Sequence, residues 1–242
     1  MNERSRKILI VLHQETSTPG RVGHVLVDNG FALDVRRPRF GDPLPETMDD
    51  HAGAVIFGGP MSANDPDEFI AREIDWTAVP LRERAPFLGI CLGAQMLARQ
   101  LGGTVAPCDQ DSAEIGYYRI HPTEDGRRMI EWPERVYQWH REWFTLPSGA
   151  TLLASGEDNK AQAFRSEATG FGIQFHPEVT TWMMNRWTVH AAHRLVLPGA
   201  QARKEHFEGR RLWDGDVKRW LHDFLDLWLA SDRRAPSRLA AE

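Results

Sequence analysis

Through the first hundred residues, short apolar runs alternate with stretches whose apolar positions recur at helical spacing. "KILIVL" (7–12) reads as a buried strand, and "GRVGHVLVDNG" (20–30) as a short helix stopped by Gly30. "FALDVRRP" (31–38) alternates apolar and polar as a strand does, and "GAVIFGGP" (53–60) is a further strand ending in glycines. In "DPDEFIAREIDW" (65–76), Pro66 and the acids around it mark a helix start. "APFLGIC" (85–91) is the next strand, and "AQMLARQLGG" (94–103) a helix closed by Gly102 and Gly103. Strands alternating with helices in this way predict an α/β fold, with a parallel sheet covered on both faces.

The pattern then changes. "TVAPC" (104–108), "EIGYYRIHP" (114–122), "RVYQWH" (135–140), "TLLASGE" (151–157), "AQAFRS" (161–166) and "GFGIQFHPE" (170–178) are short strand-like segments separated by turn residues. No helical period stands between them, so antiparallel strands added to the parallel sheet are expected. The last part is helical: "WDGDVKRWLHDFLDLWLA" (213–230) sets Trp213, Val217, Trp220, Leu221, Phe224 and Trp228 on one stripe, the mark of a packed face. With no internal repeat and no low-complexity linker, the expectation is one domain over 1–242. Its core spans about 7–180, a helical extension 181–231, and a loose tail 232–242.

Composition narrows the class. Of the 242 residues, 41% are hydrophobic and 26% charged, which suits a globular protein rather than a disordered one. A formal net charge of −5 gives no general pull toward nucleic acid or an anionic membrane, and the basic clusters "RRPR" (36–39) and "GRR" (209–211) are short enough to be solvated surface. The apolar run near the N-terminus is too short for a signal-peptide core, and no stretch approaches a membrane span. Two cysteines, Cys91 and Cys108, make no disulfide framework and fit a reducing compartment. A cytoplasmic protein is expected.

One of those cysteines stands where chemistry is done. Cys91 lies between a buried strand and the first turn of a helix, at the carboxyl end of a strand in a predicted parallel sheet, where ligands bind. Gly89 and Gly93 allow the sharp turn of a nucleophile elbow, and the following helix offers free N–H groups and a positive dipole end. A nucleophilic thiol needs a base, and the base needs an orienting group. "GIQFHPEV" (172–179) supplies His176 and Glu178 two residues apart, which an extended chain would point to one face with Pro177 between them. A third strand ends in Gly58-Gly59-Pro60. There the N–H of Gly59, together with that of Leu92, is placed to make an oxyanion hole.

These three blocks resemble the class I, triad-type glutamine amidotransferases. The family's G-x-C-x-G-x-Q pattern stands as Gly89-Ile90-Cys91-Leu92-Gly93-Ala94-Gln95, its His-Pro-Glu pattern as His176-Pro177-Glu178, and its oxyanion strand as Gly58-Gly59-Pro60. The likeness covers about residues 7–180 in order and spacing, and comes nearest to the glutaminase domain of GMP synthetase and its free-standing relatives. It implies a flavodoxin-like sheet, no cofactor, and hydrolysis of a γ-glutamyl amide through a thioester on Cys91. It also implies that Gln95 helps hold the substrate. "WHRE" (139–142) lies where relatives grip the amino-acid head group, which points to His140 and Glu142, although GMP synthetases carry a different tetrapeptide there.

Other candidate sites are poorer. His190 and His193 stand three apart on an expected helix but lack a third ligand at zinc spacing, so no metal is expected. "GRVGHVLVDNG" lacks the glycine spacing of a dinucleotide turn, and Cys108 follows Pro107 with no catalytic neighbours and is expected to be inert. The chain shows neither an ATP-binding Gly-rich loop nor room for a synthetase. Three readings stay open: a hydrolase of glutamine or another γ-glutamyl compound working alone, which is preferred; an ammonia-supplying subunit of a synthetase; and a non-catalytic module. Candidate partners are a small γ-glutamyl substrate, a synthetase subunit or a second copy of the chain. The extension carries five of the nine tryptophans and is the candidate interface.

Overall fold

Ile8, Leu9, Ile10 and Val11 are all fully buried, alternate side chains facing different apolar clusters. Only a strand inside a sheet covered on both faces gives that pattern. In the computed structural model, which describes residues 7–108, 112–157 and 160–232, they belong to β1 (Lys7–Val11). This strand pairs in parallel with β2 (Ala32–Arg36) on one side and β3 (Gly53–Ile56) on the other. Beyond β3 come β4 (Phe87–Ile90) and β12 (Gly170–Ile173), also parallel. Then β11 (Ala161–Ser166), β10 (Thr151–Ser155) and β7 (His121–Pro122) run antiparallel to their neighbours, completing an eight-stranded sheet.

The fold is therefore α/β with a mostly parallel sheet. The middle of the chain is only partly built into it. β5 (Val105–Pro107) pairs with β9 (Glu142–Phe144), and β6 (Glu114–Arg119) with β8 (Arg135–His140), as two separate antiparallel ribbons. A short helix, α5 (Glu124–Met129), also stands where none was expected. Six residues are too few to show a period, yet its end signals are present. The Thr123 hydroxyl caps Gly126 N–H at 3.1 Å, acids occupy the first turn and arginines the last.

Ile8, Ile10, Leu12, Val55, Leu88 and Ile90 face α1 (Gly20–Asp28) and α7 (Arg203–Leu229). Leu9, Val11, Ala54, Ile56 and Phe87 face α2 (Glu68–Trp76) and α4 (Leu92–Gln100). Two further helices, α3 (Ala78–Arg82) and α6 (Thr181–His190), complete the set among the described residues. Helix α7 begins ten residues before Trp213 and buries Val217, Trp220, Leu221, Phe224 and Trp228 as the stripe predicts. Each such side chain contributes roughly 1.5–3 kcal/mol, so this helix belongs to the core. Trp228 lies so close to β3 that a Cβ on Gly53 would stand 2.9 Å from its ring. Trp213 leaves the stripe and joins Tyr117, Tyr137 and Met183 in a third cluster. Except for Asp232, the expected loose tail lies outside the described residues.

The chain passes from β2 across β1 to β3, so strand order reverses between β1 and β3. Beside such a switch point, at the carboxyl ends of the parallel strands, a crevice opens. The segments following β1, β3, β4 and β12 converge there.

Candidate active site

Cys91 follows β4 and caps α4, with φ 52° and ψ −105°. A non-glycine residue held at positive φ stores about 1–3 kcal/mol of strain and persists only where its surroundings enforce it. Here Cys91 N–H donates to Ile173 O at 2.8 Å, and the Gln95 N–H returns to Cys91 O at 3.0 Å. The flanking glycines are required by close approach: a Cβ on Gly89 would stand 2.4 Å from Gly93 O, and one on Gly93 only 2.1 Å from Ile56 O. The elbow read from the sequence is thus present, with the sulfur at the positive end of α4.

His176 and Glu178 meet at 2.7 Å, Nδ1 to Oε1, with both side chains buried. The expected route is corrected: β12 ends at Ile173, and the contact is made by a turn rather than an extended strand. His176 N–H donates to Tyr137 O at 2.8 Å, which pulls the chain off the sheet before the His-Pro-Glu motif. The turn is clamped from outside. Arg21 on α1 donates to Val179 O at 2.8 Å and to Asp214 on α7 at 2.9 Å, while its N–H reaches Glu178 O at 2.8 Å. Arg210 on α7 holds Val179 O at 3.1 Å as well.

His176 Nε2 is buried, and its neighbour is Cys91. A Cβ on Gly58 would meet His176 Cε1 at 2.9 Å and Cys91 Cβ at 3.3 Å, which puts all three residues at one point. Trp187 of α6 sets its ring edge-on to the imidazole, 5.1 Å between centroids. Burial alone would lower the His176 pKa. The Glu178 carboxylate and then Cys91 outweigh it and raise the value to about 10.

The segment after β3 is held by a pair absent from the sequence reading. Fully buried His13 contacts Gly58 O through Nδ1 at 3.2 Å and Glu73 through Nε2 at 2.8 Å. A carbonyl only accepts, so Nδ1 carries a proton. In a trans peptide the N–H points opposite to the C=O, so the Gly59 N–H is aimed away from His13. Among the described residues neither Gly59 N–H nor Leu92 N–H is engaged in a hydrogen bond. As the first residue of α4, Leu92 has no intrahelical acceptor for its N–H.

A pocket of about 260 Å³ opens over Cys91. Gly59, Leu92, Gln95, His140 and Glu142 all line it, so every sequence-derived candidate outside the His-Glu pair meets at this one cavity. Gln95 donates to Glu142 O at 3.1 Å, Ser62 Oγ donates to Glu142 Oε1 at 2.8 Å, and His140 lies 3.0 Å from Glu114. Cys108 lines the same cavity, contrary to its isolation in sequence, because β5 pairs with β9 and brings Pro107 beside Glu142. Arg194 arrives from the C-terminal extension. His13, Arg21, Asp214 and Arg194 escaped the sequence reading. Only His13 carried a signal, a polar residue just past an apolar strand.

His190 ends α6 and His193 sits in a separate 3₁₀ turn, so the expected shared helix is not formed. Among the described residues no helix is long and apolar enough to cross a membrane, and no group of three or more His, Cys, Asp or Glu could hold a metal.

The glutamine amidotransferase class-I family model matches residues 16–186. The glutamine amidotransferase-like protein YfeJ of Salmonella typhimurium is 29% identical over 200 residues, 78% of this chain and 83% of that protein. One of the subunits of the glutamine-hydrolysing GMP synthase of Sulfurisphaera tokodaii is 32% identical over 165 residues, 66% of this chain and 85% of its own length. The GMP synthase of Porphyromonas gingivalis is 36% identical, but the match spans only 26% of its length. Among solved structures, a glutamine amido transferase from Methylobacillus flagellatus superposes with TM-score 0.89 at 26% identity, covering 97% of this chain and 98% of that one. A glutamine amidotransferase from Thermotoga maritima does so with TM-score 0.82 at 28% identity, covering 94% and 99%.

Proposed function

Because the chain belongs to the class-I glutamine amidotransferase family, we propose that it hydrolyses the γ-glutamyl amide bond of glutamine or a related γ-glutamyl compound without a partner. One observation carries the reading. A buried His176–Glu178 pair, 2.7 Å apart, stands beside a positive-φ cysteine at a helix N-terminus. His176 Nε2 already carries the proton given up by the Cys91 thiol, and Sγ attacks the γ-carbonyl carbon. The N–H groups of Gly59 and Leu92 receive the oxyanion. His176 returns the proton to the leaving nitrogen as the C–N bond breaks, which leaves a γ-glutamyl thioester. It then takes a proton from the water that attacks this thioester and holds it for Sγ as the C–S bond breaks, which releases the γ-carboxylate and restores Cys91. Glu178 orients the imidazole and stabilises its cation; Gln95, His140 and Glu142 hold the head group. No cofactor enters the sequence of steps.

Autonomy is supported by contacts inside the chain. Arg21, Asp214 and Arg210 tie the His-Pro-Glu turn to α1 and α7, and His13 fixes the Gly58–Gly59 peptide. On this reading the whole chain works as one unit, in the cytoplasm, whose reducing conditions keep both thiols free. The experiment is steady-state kinetics of the purified chain on glutamine and a panel of γ-glutamyl amides and peptides. The expected kcat is above ~1 s⁻¹ on at least one of them. A second reading, in which the chain supplies ammonia to a synthetase, is favoured by the likeness to the Sulfurisphaera tokodaii GMP synthase component. It wins if activity is absent alone and emerges when a synthetase is added.

The electrostatics of His176 predict the alkaline limb of the rate. Its value in the fold, about 10, lies above the ordinary 6.5. Stability contributed by the protonated ring is therefore complete below pH 6.5 and is lost as pH rises through about 10. The same proton serves the leaving group, so kcat/KM should fall on that alkaline limb. In Glu178→Gln the carboxylate's support for the imidazolium is gone and the limb should move to lower pH. A pH–rate profile unchanged by this substitution would remove Glu178 from the role.

A further inference from the structure

Two arginines stand at the mouth of the pocket. Arg141 lies between β8 and β9, and Arg194 ends the 3₁₀ turn Ala192–Arg194 that follows α6; both line the cavity that holds Cys91. They are near enough to repel each other. Burial first, and the Arg141 charge second, lower the Arg194 pKa, while Cys91 opposes them. Two other arginines of the fold are paired with acids, Arg21 with Asp214 at 2.9 Å and Arg36 with Asp34 at 2.7 Å. Among the described residues neither Arg141 nor Arg194 has such a partner. Glu142 lines the same pocket, but its carboxylate accepts from Ser62 and forms no ion pair with either arginine. Two like charges at one cavity, with neither paired to an acid among the described residues, are stabilised when an anion enters. A guanidinium fork matches a carboxylate with two parallel hydrogen bonds.

We propose that Arg194, with Arg141, forms a carboxylate-binding site beside Cys91, and that this site selects γ-glutamyl substrates presenting a carboxylate to it. The inference rests on the hydrolase reading for its substrate class, and on the place of both arginines in the lining of the Cys91 cavity for the anion site. It also gives the C-terminal extension a part in recognition, because Arg194 lies past the region matched by the family model. The carboxylate has two sources: the α-carboxylate of the glutamyl end, or a carboxylate on the leaving amine.

The first test needs no turnover. Iodoacetate and iodoacetamide alkylate Cys91 by the same displacement of iodide and differ in charge. The ratio of their rates, read by mass spectrometry of the Cys91 peptide in the full chain, reports the cation at the pocket. In Arg194→Ala that ratio should fall roughly tenfold from the parent's, the worth of one charge-assisted hydrogen bond, and Arg194→Lys should recover part of it. An unchanged ratio in Arg194→Ala overturns the proposal whether or not any γ-glutamyl compound is hydrolysed. A parent that turns over nothing, yet shows the shifted ratio, sinks the hydrolase reading and leaves the anion site standing.

Kinetics then name the source. If the α-carboxylate is bound, Arg194→Ala raises KM for γ-glutamyl amines and γ-glutamyl dipeptides alike, and the parent loses affinity for their α-esters. If the leaving group is bound, KM rises for the dipeptides only, and amidating their C-terminus reproduces the loss in the parent. In both cases KM carries more of the loss than kcat. A KM within twofold of the parent on every substrate overturns the assignment.

Discussion

Replacing Cys91 with alanine should reduce γ-glutamyl hydrolysis by about 10⁴-fold or more, to what the oxyanion donors and binding contacts supply alone. Cys91 is the thiol placed beside His176 at the helix N-terminus. The substitution removes one sulfur atom from a buried position, and alanine carries the same Cβ into the strained backbone, so the pocket should survive. A glutamine-mimicking electrophile should label the parent on the peptide containing Cys91. Because Cys108 lines the same cavity, the adduct must be mapped rather than counted. An adduct confined to Cys108, or an alanine variant as active as the parent, would reject Cys91 as nucleophile.

His176→Ala should lower kcat by roughly 10³–10⁵-fold, since no base remains to take the thiol proton and no acid to protonate the leaving nitrogen. This variant also leaves Glu178 buried without its 2.7 Å partner, an unpaired charge that destabilises the fold. His176→Gln keeps a hydrogen-bond donor for Glu178 and separates the two effects: its melting temperature should approach the parent's while its kcat stays near that of His176→Ala. The double variant Cys91→Ala/His176→Ala should be no slower than the worse single one, because residues that act as a unit are non-additive. Additive losses, or a His176→Gln variant with parental turnover, would dissolve the pairing.

Helix α7 alters how the extension is understood. The sequence marks it as a packed face and leaves open whether it meets a partner. Trp220 and Trp228 are fully buried against the sheet, and Asp214 on the same helix grips Arg21, whose side chain holds the turn that carries Glu178. Trp187 on α6 lies against His176 itself. Of the five extension tryptophans, Trp182 is the one largely exposed, at 58%. The segment that follows the His-Pro-Glu motif thus braces the site from behind.

Local signals carried far here because the decisive features are local. The strand-to-helix switch at Cys91 is written into Gly89 and Gly93, whose missing Cβ atoms admit Gly93 O and Ile56 O at distances no side chain allows. The alternation of apolar runs and helical spacing determined the parallel sheet and, with it, the edge where Cys91, His176 and Gly59 would meet. Periodicity could not show a six-residue helix at 124–129, nor tell a strand in the sheet from one in a detached ribbon, since both alternate alike. It also mistook the approach to Glu178: spacing of two suits an extended chain, but a bond from His176 N–H to Tyr137 O turns the backbone first. Only tertiary packing brought His13 to Gly58 across 45 residues, Asp214 to Arg21 across 193, and Arg194 and Cys108 to the same cavity. Those partners share no period and no motif with the residues they serve. What joins them is the convergence of distant segments at one sheet edge, where buried charges and carbonyls must find partners wherever in the chain they lie.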